Sequence, residues 1–227
     1  ILKGYYLKHD VCEKEVQDCK IDEFKVKKQD YIGCEYTVEG DYSSASYLLA
    51  LIAINGGKAK IKNLFKNSKQ GDKFILDILQ QMGVKIICGE DYVEIESDGK
   101  LNAIDVDLSN APDLLITVAV LAAMADGTTN ISGVAHARVK ETDRIDTTCR
   151  ELKKLGCILT EREDGMSISG GVRSGTVDSH GDHRLAMAFS LLGLKHDVEV
   201  ENGECFDVSF PNFIELMGEI GIEMELK

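Results

Sequence analysis

"SNAPDLLITVAVLAAMADG" (109–127) sets a polar, acidic opening before a long apolar run, and the chain does this twice more. "GDYSSASYLLALIAINGG" (40–57) and "HGDHRLAMAFSLLGLKHD" (180–197) have the same build. Their acidic residues Asp41, Asp113 and Asp182 stand 72 and 69 residues apart, an almost even spacing. A second mark follows each one: "LQQMGVKI", "LKKLGCIL" and "LMGEIGIEM" carry Gly83, Gly156 and Gly221. Glycine at such a point suits a helix C-terminus that turns into a strand. Similarity at a fixed period identifies one supersecondary unit used three times.

The middle repeat is the most legible. Apolar residues occupy every face of 112–125, which predicts a helix buried all round rather than on one stripe. A strand follows near 128–134, then an amphipathic helix over 142–155 with Ile145, Cys149, Leu152 and Leu155 at helical spacing. Alternating residues near 157–161 and 165–170 predict a hairpin across "EREDG". The expected architecture is therefore α/β, with three βαβαββ-like repeats whose strands and outer helices enclose the apolar helices. Residues 1–38 do not join the pattern, although "DEFKVKK" and "CEYTVEG" read as strands. They read as the tail of a different domain, with a crossover near Glu39–Gly40 and the repeat domain over 39–227.

At 227 residues the chain can bury on the order of 70% of its unfolded surface. Its 44% apolar and 29% charged residues describe an ordinary globular composition. No apolar run approaches the roughly 20 residues of a membrane span, so no membrane role is expected. The formal net charge of -13 argues against a nucleic-acid partner. Seven cysteines scattered without CxxC spacing favour reduced core thiols in a cytoplasmic protein over disulfides or a metal site. The chain shows no signal peptide and opens on Ile1, and so reads as a fragment.

If a pseudo-threefold relates the repeats, the starts of the buried helices face one end of the domain. They carry Asp41, Ser43 and Ser44; Asp113; and Asp182, His183 and Arg184. Free N–H groups and the helix dipole make such an end a ready anion site. Ser43, Ser44 and Asp182 also suit N-caps, and Asp113 suits a first turn after Pro112. The cations are harder to explain that way. Arg138, Lys140 and Arg144 in "ARVKETDRID" (137–146) flank a helix start, against a dipole effect of roughly 0.3–1 kcal/mol each. A charge cluster is commonly a solvated face, but two such clusters at equivalent points of a repeat point to an anionic ligand. Asp113 and Glu141 stand among them with Lys140 adjacent, and proton transfer near a bound anion is the chemistry this set suits.

The motifs "RVKETDRI" (138–145), "GDHRLAMAFSLLGL" (181–194), "GDYSSASYLLA" (40–50) and "NAPDLL" (110–115) resemble those of the 5-enolpyruvylshikimate-3-phosphate (EPSP) synthase family, in order and spacing. The resemblance implies the inside-out α/β barrel of the enolpyruvyl transferases, in which two domains close over the substrates. This chain would be the C-terminal half, and its partner the missing N-terminal domain. The implied reaction transfers the enolpyruvyl group of phosphoenolpyruvate to shikimate 3-phosphate, with no metal or cofactor, in a cytoplasmic monomer that glyphosate targets. The isolated fragment is expected to be inactive.

By the same resemblance, Asp113 matches the carboxylate that takes the proton of the attacking hydroxyl. Glu141 matches the acid that protonates the methylene carbon, with His183 as its hydrogen-bond partner. Lys140 matches a residue touching the shikimate hydroxyl, and Arg144 and Arg184 match the guanidinium pair on phosphoenolpyruvate. His136 stands where familiar bacterial members contact the shikimate phosphate with asparagine. Val208 in "DVSFPNF" stands where many carry a lysine. The rival readings are the sister enzyme acting on UDP-N-acetylglucosamine and a non-catalytic binding domain.

Overall fold

The computed structural model describes residues 3–6, 28 and 32–225, in a segment Ile1–Glu39 and a body Gly40–Lys227. In the segment, β1 (Lys3–Tyr6) pairs antiparallel with β2 (Ile32–Glu35). The strand expected over "CEYTVEG" therefore ends at Glu35, and 36–40 has no regular structure. The strand expected over "DEFKVKK" lies outside the described residues, apart from Lys28, which is in neither helix nor strand.

Three helices form the centre of the body: α1 (Tyr42–Asn55), then α3 (Leu115–Ala123), then α5 (His183–Ser190), with α3 packed on both others. All nine residues of α3 are buried, the result expected when no face of a helix is polar. Burying a side chain such as Leu115, Ile116 or Leu121 contributes about 1.5–3 kcal/mol each, which outweighs the modest helix propensity of the valines beside them. Two polar side chains meet across the α1–α3 contact, where Ser46 Oγ lies 3.3 Å from Thr117 Oγ1.

Strands and outer helices wrap this centre. In the first repeat, β3 (Gly57–Lys62), α2 (Ile75–Gln81), β4 (Lys85–Cys88) and β5 (Tyr92–Ser97) follow α1, and their sheet has the order β3-β5-β4. The second repeat is complete: β6 (Asp105–Asp107), α3, β7 (Thr128–Ser132), α4 (Arg144–Lys154), β8 (Ile158–Arg162) and β9 (Gly165–Ser169). Its sheet runs β6-β7-β9-β8, and the hairpin β8–β9 turns at Glu163–Asp164 as the sequence predicts. The third repeat has β10 (Gly175–Asp178), α5, β11 (Val198–Glu201) and α6 (Phe213–Glu219). Among the described residues it lacks the closing hairpin, so βαβαββ holds in full only for the middle repeat.

The three marker glycines end the outer helices in one geometry. Gly83, Gly156 and Gly221 have φ of 98°, 91° and 85°. The following N–H closes back five residues in each case: Val84 to Leu79 O at 2.9 Å, Cys157 to Leu152 O at 3.2 Å, Ile222 to Met217 O at 2.8 Å. This pattern satisfies orphan helix carbonyls and needs a left-handed residue, which only glycine adopts at no steric cost. Two of the expected core thiols, Cys149 and Cys157, are buried, and burial pushes each up to about 11; Cys88 is exposed instead. Among the described residues, no helix is long and apolar enough to cross a membrane.

Candidate active site

The starts of the buried helices are held by aspartates. Asp41 caps α1, accepting from the backbone N–H of Ser43 (3.2 Å) and Ser44 (2.9 Å); the serines suggested as caps are its donors. Ser43 Oγ is turned instead to donate to Asp72. Asp182 caps α5 by accepting from Arg184 N at 2.9 Å. Pro112–Leu114 form a 3-10 turn that leads into α3, with Asp113 in that first turn.

"ARVKETDRID" divides in two. Ala135–Val139 form a 3-10 turn carrying His136, which is exposed, and α4 begins only at Arg144, capped by Asp143 through Asp146 N at 3.0 Å. Arg138 is engaged within the chain, by Asp143 at 2.9 Å, Glu161 at 2.9 Å and the carbonyls of Arg162 and Glu163.

Arg144 explains why a helix accepts a cation at its start. Its side chain is 1% exposed and makes four hydrogen bonds to carboxylates. Nε and one terminal nitrogen grip Asp182 at 2.8 and 3.2 Å, and the other contacts are Asp113 at 3.0 Å and Glu141 at 2.6 Å. Three carboxylates from three parts of the sequence thus replace the external anion that the helix start alone suggested.

The groups above it are more open. Asp113 also pairs with Arg184 at 3.1 Å and Lys140 at 3.5 Å. Burial opposes its ionisation, yet Arg184, Lys140 and Arg144 outweigh burial and hold its carboxyl below the ordinary 3.8. The Glu141 side chain is 46% exposed and Lys140 36%, so both present themselves to an arriving ligand. His183 opens α5 at the edge of this cluster, and burial lowers it from 6.5. Glu141, expected to pair with His183, gives its carboxylate to Arg144. Val208 is 79% exposed at the end of a separate 3-10 turn, Gly203–Val208.

Two residues of the site escaped the sequence reading. Asp72 sits in the turn Gly71–Phe74 ahead of α2 and is raised by burial, with Asp113 nearby reinforcing the rise. Its signal was positional: it stands three residues before its outer helix, as Glu141 does before α4. Tyr47, buried on α1 and pushed up to about 12 by that burial, lies near Arg184.

These shifts set a pH response. A carboxylate held below its unfolded value stabilises the fold once ionised, and the contribution is lost as pH falls through the folded value. Asp113 and Asp41 are of this kind, as is Glu151 on α4; Asp72, being raised, acts in the opposite sense. His183 favours its neutral form, so its protonation below about pH 6.5 also weakens the fold. The urea midpoint is expected to decline modestly from about pH 6.5 and steeply below about pH 4, with Asp113→Asn flattening part of the acid limb. An acid limb unchanged in Asp113→Asn would contradict this assignment.

A body of βαβαββ-type repeats around buried helices, with carboxylates and guanidinium groups gathered at one end, defines an α/β domain with the fold of the enolpyruvyl transferases. The chain belongs to the EPSP synthase (3-phosphoshikimate 1-carboxyvinyltransferase) family, whose sequence model matches residues 15–217. It is 73% identical over 222 residues to the 3-phosphoshikimate 1-carboxyvinyltransferase of Methanobrevibacter smithii, covering 98% of this chain and 51% of that protein. It is 56% identical to that of Methanothermobacter thermautotrophicus, covering 89% and 48%. Among solved structures, EPSP synthase from Acinetobacter baumannii superposes with a TM-score of 0.73 at 32% identity, over 83% of this chain and 47% of that one. The chain spans about half the length of the curated relatives it matches.

Proposed function

We propose that this chain supplies one half of an active site that moves the enolpyruvyl group from phosphoenolpyruvate to the 5-hydroxyl of shikimate 3-phosphate and releases phosphate. The observation that carries the reading is the meeting of Asp113, Lys140, Glu141, Arg144, Asp182 and Arg184 at one end of the buried helices. The N-terminal half of the enzyme supplies the rest.

Asp113 takes the proton of the 5-hydroxyl as that oxygen attacks C2 of phosphoenolpyruvate. Glu141 delivers a proton to the methylene carbon, giving a tetrahedral intermediate; removal of a methyl proton then expels phosphate and restores the double bond. Both acids are within reach of solvent and ligand, and both are tied to cations. An arriving carboxylate or phosphate competes for Arg184 and Lys140, with Arg144 below. As those cations turn to the ligand, Asp113 regains basicity at the step that needs it. Guanidinium groups suit this exchange because their fork geometry fits carboxylate and phosphate alike.

His183 shapes the Glu141 side of the site, and exposed His136 offers a contact for the shikimate phosphate. With Val208 at the position of the family's lysine, phosphoenolpyruvate and glyphosate are held by the arginines. Buried reduced thiols suit a cytoplasmic enzyme, and the family resemblance suits a monomer.

The test is phosphate release by the intact two-domain protein. Release is expected with phosphoenolpyruvate and shikimate 3-phosphate together and with neither alone. Release with UDP-N-acetylglucosamine in place of shikimate 3-phosphate would overturn the substrate assignment.

A further inference from the structure

Away from this cluster, α4 buries a second charged side chain. Glu151 is fully buried, and its two oxygens are occupied: Oε2 accepts from Asp178 N at 3.0 Å and Lys154 Nζ at 2.6 Å, and Oε1 accepts from His180 Nε2 at 2.9 Å and Arg150 Nε at 3.4 Å. A buried carboxylate is seldom the most stable choice, because its desolvation offsets most of what its partners return. Its position suggests another reason for it. Asp178 ends β10 and His180 lies in the short loop that leads into α5.

That loop is tightly constrained. His180 N donates to Asp178 Oδ1 at 2.7 Å, Asn202 Nδ2 donates to the same oxygen at 2.8 Å, and Asp182 N donates to Ser179 O at 2.9 Å. His180 has φ of 53°, a left-handed conformation that a non-glycine residue keeps only when its surroundings impose it. Arg144 lies seven residues before Glu151, on the same face of α4 two turns away. Arg144 holds Asp182 at the end of the loop, and Glu151 holds Asp178 and His180 at its start.

We propose that Glu151 is a positioning residue: through His180 and the Asp178 amide it fixes the loop whose end sets Asp182, His183 and Arg184 over the site. α4 thereby grips the loop at both ends, so the groups from the third repeat are registered against Glu141 and Arg144 on the second. The proposal rests on the reading of the reaction above.

The experiment compares Glu151→Gln, His180→Leu and His180→Gln in the intact protein, each at matched folded fraction from urea unfolding. Glu151→Gln and His180→Leu are expected to lose about 10- to 100-fold in kcat, since a displacement near 1 Å suffices for that, and to raise KM for phosphoenolpyruvate through Arg184. His180→Gln keeps a donor at similar reach and should recover most of the loss. Unchanged kcat and KM per folded molecule, with only a lower urea midpoint, would leave Glu151 a stability residue and overturn the proposal. If the wild-type protein releases no phosphate from these substrates, the reading of the reaction is what fails. Amide hydrogen exchange at 179–184 then decides the positioning claim: faster exchange in Glu151→Gln upholds it, and equal exchange ends it.

Discussion

Arg144→Leu is expected to destabilise the body 40–227 by about 3–5 kcal/mol, the range seen when one partner of a buried ion pair is removed. The reason is the company it leaves. Asp182 is fully buried and would lose the guanidinium that grips both its oxygens, with no water to replace it. Asp113 and Glu141 lose a partner too, but both reach solvent and are less affected. Arg144→Lys should recover only part of the loss, because one ammonium is a point donor and cannot span three carboxylates. Urea unfolding of the three proteins measures this. A loss below about 1 kcal/mol in Arg144→Leu, the scale of an exposed pair, would mean that the cluster is held by something other than this arginine.

Glu141→Gln and Asp113→Asn are each expected to cut turnover of the intact protein by about 10²–10⁴-fold while leaving the fold in place, as removal of a proton-transfer group does. Both changes keep shape and remove the ability to exchange a proton. The two should differ from Arg144→Leu in kind: Glu141 is 46% exposed and Asp113 30%, so neither strands a buried charge when it is neutralised. Steady-state rates of phosphate release, set beside urea midpoints, separate the two effects. Near-normal turnover in Glu141→Gln would remove it from the mechanism, and the same result for Asp113→Asn would leave the hydroxyl proton without an acceptor in this half.

Much of the architecture was legible before any coordinates. The buried helix expected over 112–125 is the turn 112–114 followed by α3, and the amphipathic helix expected over 142–155 is α4 at 144–154. The first rests on an apolar run with no polar face and the second on a helical period, and the sequence displays both directly. The errors fell where a local pattern has two physical readings. Ser43 and Ser44 have cap chemistry, but the cap is the residue one step earlier, Asp41. The strand read over 34–40 alternates well, but pairing stops at Glu35, and alternation cannot show where a partner ends.

The sequence by itself determined the repeat, the helix and strand periods, the glycine at the end of each outer helix, and the residue types gathered at the helix starts. These depend on neighbours within a turn or two, and the chain carries them in its order. Only the tertiary structure decided what the charges do. Arg144 meets Asp113 across 31 residues and Asp182 across 38, and Arg184 meets Asp113 across 71. Such pairs exist because the repeats bring their helix starts to one place. Asp72 joins the site, Arg138 leaves it, and Glu151 becomes buried for the same reason: a charge's partner and its distance from water are properties of the packed body.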